Sequence, residues 1–213
     1  MPLITKLGEQ KRRANRVNVY LDGKFAFACN KRVAQRFELN AGMELTPEDL
    51  SAILSGEIQQ ECFDRAMQYL ARRMHSQMEL KRKLLKAEFV AEVIDIVLQK
   101  LRGLNYIDDA EFARQKLQQA QRKLVGERRA MLELRKSGVD AGTARHAVEE
   151  HFNSDLAADN AQTLITKNVS RLSRLDPVTA KRRLIGLLQR RGFDYETIKP
   201  LVDKAMGEMG AQD

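Results

Sequence analysis

The sequence predicts a mainly α fold: three tandem three-helix repeats forming an elongated array, preceded by a small N-terminal β-hairpin or sheet and a short helix. Three observations predict it. The apolar positions of residues 80–98 recur without a gap when the chain is shifted forward by 50 and then by a further 54 residues. Beyond residue 59 those positions follow the i, i+3, i+4, i+7 spacing of a helix face. Near the N-terminus, period-two alternation flanks an Asp-Gly pair. A unit of about 50 residues that recurs is one supersecondary module, which buries its apolar face against its neighbours and presents a long surface to partners.

The hairpin comes first. Val17, Val19 and Leu21 alternate with Asn18 and Tyr20, and Phe25 and Phe27 alternate with Ala26 and Ala28 beyond Asp22-Gly23. That turn needs two positive φ angles, which Asp and Gly tolerate. Ile4 to Leu7 read as a third strand, and so small a sheet needs a helical body or a partner to pack on. Thr46-Pro47-Glu48-Asp49 then opens a helix, with a capping hydroxyl, proline at the first helical position and acids in the first turn. Ser55-Gly56 is expected to end it near Leu54, which gives an N-terminal segment of residues 1–58.

The repeats follow as residues 59–107, 108–156 and 157–213. In the first, Cys62, Ala66, Tyr69 and Leu70 begin a helix face, Ser76 and Glu79 form a capping box, and Leu80, Leu84 and Leu85 line the middle helix. Val93, Ile94, Val97, Leu98 and Leu101 point one way on the third helix. Asp108 with Glu111 opens the second repeat, Gly138 closes its middle helix in the left-handed conformation, and Asp140 caps the next. Asp176-Pro177 and Gly192 bracket the middle helix of the third repeat. Under the repeat register Leu84, Leu134 and Leu188 are equivalent core residues. Glu88 takes the place of Gly138 and Gly192, so its turn is expected to differ in shape or the helix boundary to be shifted, because a side chain is costly at a left-handed cap.

Composition narrows the function. The 213 residues carry 37 Lys and Arg against 29 Asp and Glu, a formal charge of +8, so an anionic partner is expected. Cys29 and Cys62 lack disulfide or metal-ligand spacing. The first fifteen residues have no apolar stretch, and no apolar run reaches membrane-spanning length, so a cytoplasmic protein with no membrane association is expected. Asp108 and Asp109 read as caps, and His75, His146 and His151 have no metal spacing. No phosphate loop, nucleophile elbow or Cys/His dyad is present, so no catalytic, cofactor or metal residue is assigned.

The informative chemistry is basic. Each middle helix is rich in Lys and Arg, and Lys86, Lys136 and Arg190 are equivalent in the register, as are Arg129 and Arg183, although Glu79 interrupts that second row. Candidate partner-binding residues are Lys86, Arg128, Arg129, Lys136, Arg182, Arg183, Arg190 and Arg191. The bland reading is a set of solvated helix faces; recurrence in three repeats favours a stripe that meets phosphates or carboxylates. A second basic group, Lys11, Arg12, Arg13 and Arg16, precedes the hairpin, within a 36-residue stretch holding nine basic and two acidic side chains.

These motifs together resemble a known family. Ser76-Gln77-Met78-Glu79-Leu80 with Leu84, then Asn105-Tyr106-Ile107-Asp108-Asp109 with Phe112-Ala113, carry the likeness first. Gly126-Glu127-Arg128-Arg129 with Glu133-Leu134 and Gly138-Val139 follow, and Lys181-Arg182-Arg183-Leu184, Leu187-Leu188, Arg190-Arg191-Gly192-Phe193 and Tyr195 close it. In that order they are similar to the RecX family of bacterial regulators of the RecA recombinase, over roughly residues 60–206 and more loosely before. The repeat register predicts a monomer; the resemblance implies a non-enzymatic protein that binds along the groove of the RecA–DNA filament, with single-stranded DNA within or beside it. It also implies inhibition of strand exchange, ATP hydrolysis and co-protease function. Two other classes stay open: a basic helical-repeat module that binds nucleic acid directly, and a helical scaffold for an acidic protein.

Overall fold

The computed structural model describes residues 1–10, 14–172 and 174–210. Three strands, β1 (Ile4–Glu9), β2 (Arg16–Leu21) and β3 (Lys24–Asn30), form an antiparallel sheet in that order. Asp22 and Gly23 hold φ of 50° and 79° between β2 and β3, the two positive values the hairpin reading requires. Ten helices follow among the described residues. They are α1 (Lys31–Arg36), α2 (Pro47–Leu70), α3 (Gln77–Lys86), α4 (Ala91–Gly103), α5 (Asp109–Arg122), α6 (Glu127–Lys136), α7 (Ala141–His151), α8 (Ser154–Leu172), α9 (Pro177–Arg191) and α10 (Tyr195–Gly210).

The chain divides into two compact units. One comprises Met1–Met74 and Leu80–Tyr106, the other His75–Glu79 and Ile107–Asp213. In the first, Ile4, Val19 and Cys29 of the sheet are buried against Val33, Leu39, Leu45 and Ile53, so the sheet finds the helical body it needs. Asn30 caps α1, a helix the sequence periodicity does not signal, by accepting from the Arg32 amide at 3.0 Å. Arg16 fastens β2 to α2 through Glu57 and Glu61, each at 3.0 Å.

Two expectations are corrected here. The helix opened by Thr46 has the full capping box, but it runs 24 residues through Ser55-Gly56 instead of ending near Leu54. A side chain at Gly56 would place its Cβ 2.8 Å from the Phe37 ring. This glycine is therefore a close-packing site inside a helix, and the packing offsets its helix cost of roughly 1 kcal/mol. The turn at Glu88 does not differ from its counterparts. Glu88 adopts φ 68°, beside 83° at Gly138 and 94° at Gly192. In all three turns the next amide (Phe89, Val139, Phe193) donates back to the equivalent leucine carbonyl at 3.2 Å. The hydrogen bonds that close the helix and the anchoring of the following apolar residue outweigh the strain at an exposed Glu.

In the second unit α5, α6 and α7 pack together, as do α8, α9 and α10, the latter around Ala161, Ile165, Leu184, Leu188, Ile198 and Val202. The register holds inside the proteins' cores: Leu84, Leu134 and Leu188 have no exposed surface, nor do Ile94, Ala144 and Ile198. Replacing any one of the three leucines by alanine is expected to cost about 2–5 kcal/mol, read by chemical denaturation. Ser76 and Asp108 cap their helices, and the acids three residues on have further partners. Ser76 Oγ accepts from the Glu79 amide at 3.0 Å, but the Glu79 carboxylate pairs with His75 Nδ1 at 3.1 Å. Asp108 caps α5, while Glu111 turns to Arg114 at 2.8 Å.

Carboxylate caps link stability to acid. The hydroxyl and amide of Thr143 hold Asp140 below the usual carboxylate range, as those of Thr179 do for Asp176. The amide and hydroxyl of Thr197 do the same for Asp194. The unfolded chain binds these protons more readily, so their contribution is complete above about pH 4 and is lost as the pH falls through the lower folded-state values. Thermal melts are expected to hold steady from pH 7 to about 5 on this account and to decline below about 4.

Candidate partner-binding surface

The basic residues sort by what their helices do with them. Lys86, Lys136 and Arg190 lie in the last turns of α3, α6 and α9, where cations complement the helix dipole, and all are exposed. Arg182 and Arg183 are exposed in the first half of α9, next to Lys181, which pairs with Asp203 at 2.6 Å.

One joint brings four of the eight together. The N-terminus of α6 abuts the C-terminus of α9. The Gly126 amide donates to the Arg191 carbonyl at 2.9 Å, and the Arg128 amide donates to the Gly192 carbonyl at 3.2 Å. Arg129 Nη1 donates to the Arg190 carbonyl at 3.1 Å, and Arg191 Nη1 donates to the Lys123 carbonyl at 2.7 Å. The first three bonds satisfy carbonyls that the end of α9 leaves without helical partners, and the fourth does the same at the C-terminus of α5. Arg128, Arg129, Arg190 and Arg191, two from each helix, thus gather at one cationic joint. Within it Arg129 and Arg191 have structural work, and Arg129 also reaches Glu133 at 3.2 Å. Arg128 lies close enough to Asp194 to help hold that carboxyl low. Arg190 folds its guanidinium across Gly186, where a Cβ would sit 3.2 Å from Nη1.

Within the second unit the segment His75–Glu79 meets the end of α6 and the start of α5 with other chemistry. Ser76 Oγ donates to the Ser137 carbonyl at 2.5 Å, and the Gln77 amide donates to Asp109 at 2.8 Å. Glu79 stands where Arg129 stands in the next repeat, beside a buried His75. Sequence register alone aligned Arg129 with Arg183; the spatial neighbours of Arg129 are instead Arg190 and Arg191. The available signal was Gly126, a helix-start glycine facing Gly192, where a Cβ would meet backbone at 2.5 Å.

Other candidates are accounted for structurally. Arg16 is tied to acids, and Lys31 pairs with Glu9 at 2.5 Å; Lys11, Arg12 and Arg13 lie outside the described residues. Asp108 and Asp109 both accept backbone amides. Cys29 and Cys62 are buried, and burial pushes both thiols up to about 11. Burial also lowers the His151 pKa, and its ring packs edge-on to Phe152. No group of three His, Cys, Asp or Glu among the described residues is placed to hold a metal. No helix among them is long and apolar enough to cross a membrane.

Fold and surface define a class: helical proteins of repeated three-helix units that present a basic face. Comparison with known proteins makes the class specific. The model of the RecX N-terminal domain matches residues 2–46, that of the first RecX three-helix domain residues 62–101, and that of the third residues 155–202. The regulatory protein RecX of Clostridioides difficile is 32% identical over 208 residues, covering 97% of both chains. That of Bacillus subtilis is 32% identical over 206 residues, covering 96% of this chain and 77% of its own. A crystal structure of a regulatory protein RecX superposes with a TM-score of 0.83 at 27% identity, over 95% of this chain and 100% of that one. The chain belongs to the RecX family, a family of regulatory proteins and not of enzymes.

Proposed function

We propose that this protein binds the RecA–DNA filament in the cytoplasm and inhibits RecA-driven strand exchange, ATP hydrolysis and co-protease activity, without catalysis of its own. The observation that carries the reading is the cationic α6/α9 joint in a chain of a regulatory family. Guanidinium groups fit carboxylates and phosphates with paired donors, so such a patch suits both filament protein and the DNA it holds. Lys136, Arg182 and Arg183 add proposed contacts in the second unit and Lys86 one in the first, and the chain works as a monomer of three repeats.

The test is RecA-dependent ATP turnover on single-stranded DNA with this protein added at up to equal amounts. Turnover is expected to slow at or below equimolar ratio, and the protein alone is expected to hydrolyse nothing. Unchanged turnover alongside tight binding to naked DNA would favour the module that reads nucleic acid directly.

A further inference from the structure

The first compact unit contains a feature that neither the basic helices nor the sheet uses. Between α1 and α4, with α2 as its floor, runs a groove of about 930 Å³. Phe63 and Met67 of α2, with Val97 of α4 beside them, give it an apolar base. Its α4 side is an apolar wall that faces water: Ile96, Leu104 and Tyr106 are 49%, 52% and 50% exposed. Half-exposed large apolar side chains that gather along one concave surface mark a binding site, whereas scattered ones do not.

The charged groups of the groove are three cations and one acid. Arg32 and Arg36 stand on the α1 side and Lys100 on the α4 side. Among the described residues no carboxylate forms an ion pair with any of the three. The Lys100 ammonium lies 4.9 Å from the centre of the Phe63 ring, and the Arg36 guanidinium lies over Phe37. The single acid of the lining, Asp64, is taken up internally by Gln60 at 2.7 Å and Asn30 at 3.1 Å. The groove therefore offers three cations to a ligand and asks for apolar groups to cover its floor and wall.

We propose that this groove docks an acidic, amphipathic segment of a partner protein. Carboxylates on one face of that segment meet Arg32, Arg36 and Lys100, and apolar side chains on the other cover Ile96, Leu104 and Phe63. Lining residues on α2 run from Gly56 to Met67, roughly 16 Å at the helical rise, which accommodates about three turns of a helix laid in a groove. A nucleic-acid backbone supplies the negative charge but no side chains to cover the aliphatic wall. The proposal is independent of the RecA reading and is tested without RecA.

The probe is a fluorescent synthetic peptide of about 15 residues, with Leu at i, i+3, i+4 and i+7 and Glu elsewhere, followed by anisotropy. Two comparison ligands are a scrambled peptide of the same composition and a single-stranded oligothymidylate. Micromolar binding of the amphipathic peptide is expected. The pair Arg36→Glu with Lys100→Glu is expected to weaken it at least about tenfold. So is the pair Ile96→Ser with Leu104→Ser, whose positions are exposed enough to leave the helical circular dichroism unchanged. Absence of peptide binding would overturn the proposal, as would equal binding of the scrambled peptide. So would affinity within twofold of wild type in either folded variant, or displacement of the peptide by the oligothymidylate at equal or lower concentration.

Discussion

Replacing Gly192 by alanine is expected to cost at least about 3 kcal/mol and to lower the melting temperature by roughly 10 °C. Two causes add. The residue sits at φ 94°, where a side chain strains the backbone by about 1–2 kcal/mol. Its new Cβ would also lie 2.5 Å from the Arg129 amide nitrogen, in rigid helix backbone that has no room to yield. Relief requires α6 and α9 to part, and that strains the bonds from Gly126, Arg128, Arg129 and Arg191 across the joint, each worth about 1 kcal/mol. Glu88→Gly is the matched comparison. The turn has the same hydrogen bonds, and its exposed residue already pays left-handed strain, so a gain of up to about 1 kcal/mol is expected. A loss at Gly192 well above the gain at Glu88 separates the inter-repeat contact from the backbone strain that the two turns share.

The second large effect is on partner binding. Arg128→Glu combined with Arg190→Glu reverses two charges of the joint and leaves its clamps, Arg129 and Arg191, in place. Filament binding is expected to weaken at least about tenfold, and its salt dependence to flatten, because fewer counterions are displaced. Stability is expected to change by no more than about 1 kcal/mol, since both side chains are exposed and only Arg128 faces an acid, Asp194. Reversal of Arg65 with Lys204, which lie outside the patch, changes net charge equally and serves as the comparison.

Much of the fold was legible because it is written in periodicities. Alternation around Asp22-Gly23 marked the sheet, and the 3.6-residue spacing of Leu84, Leu134, Leu188 and their neighbours marked cores that are buried at equivalent places. The misreadings fall where tertiary contact overrides a local signal. Ser55-Gly56 looks like a helix stop, yet Phe37, far off in sequence, needs the bare backbone of Gly56. Glu88 looks unfit for a left-handed turn, yet the closing bonds of α3 impose one. Helix α1 has six residues, too few for a periodic pattern to register.

The candidate surface was half legible for a related reason. Register alignment compares residues that occupy the same place in different repeats, whereas a joint between repeats brings together residues from opposite ends of their helices. Arg129 and Arg190 lie 61 positions apart and share no register column, and only the packing of α6 on α9 makes them neighbours. Lys86, Lys136 and Arg190 keep their equivalence as last-turn residues, which is the property that the repeat can encode.

Co-sedimentation of the protein with RecA filaments assembled on single-stranded DNA, beside naked DNA at the same salt, tests the central claim most directly. The account predicts that wild-type protein pellets with filaments in preference to naked DNA, and that the Arg128→Glu, Arg190→Glu variant stays in the supernatant while the Arg65, Lys204 variant pellets. Equal pelleting with naked DNA and filaments, or equal losses from both charge-reversed variants, would contradict it.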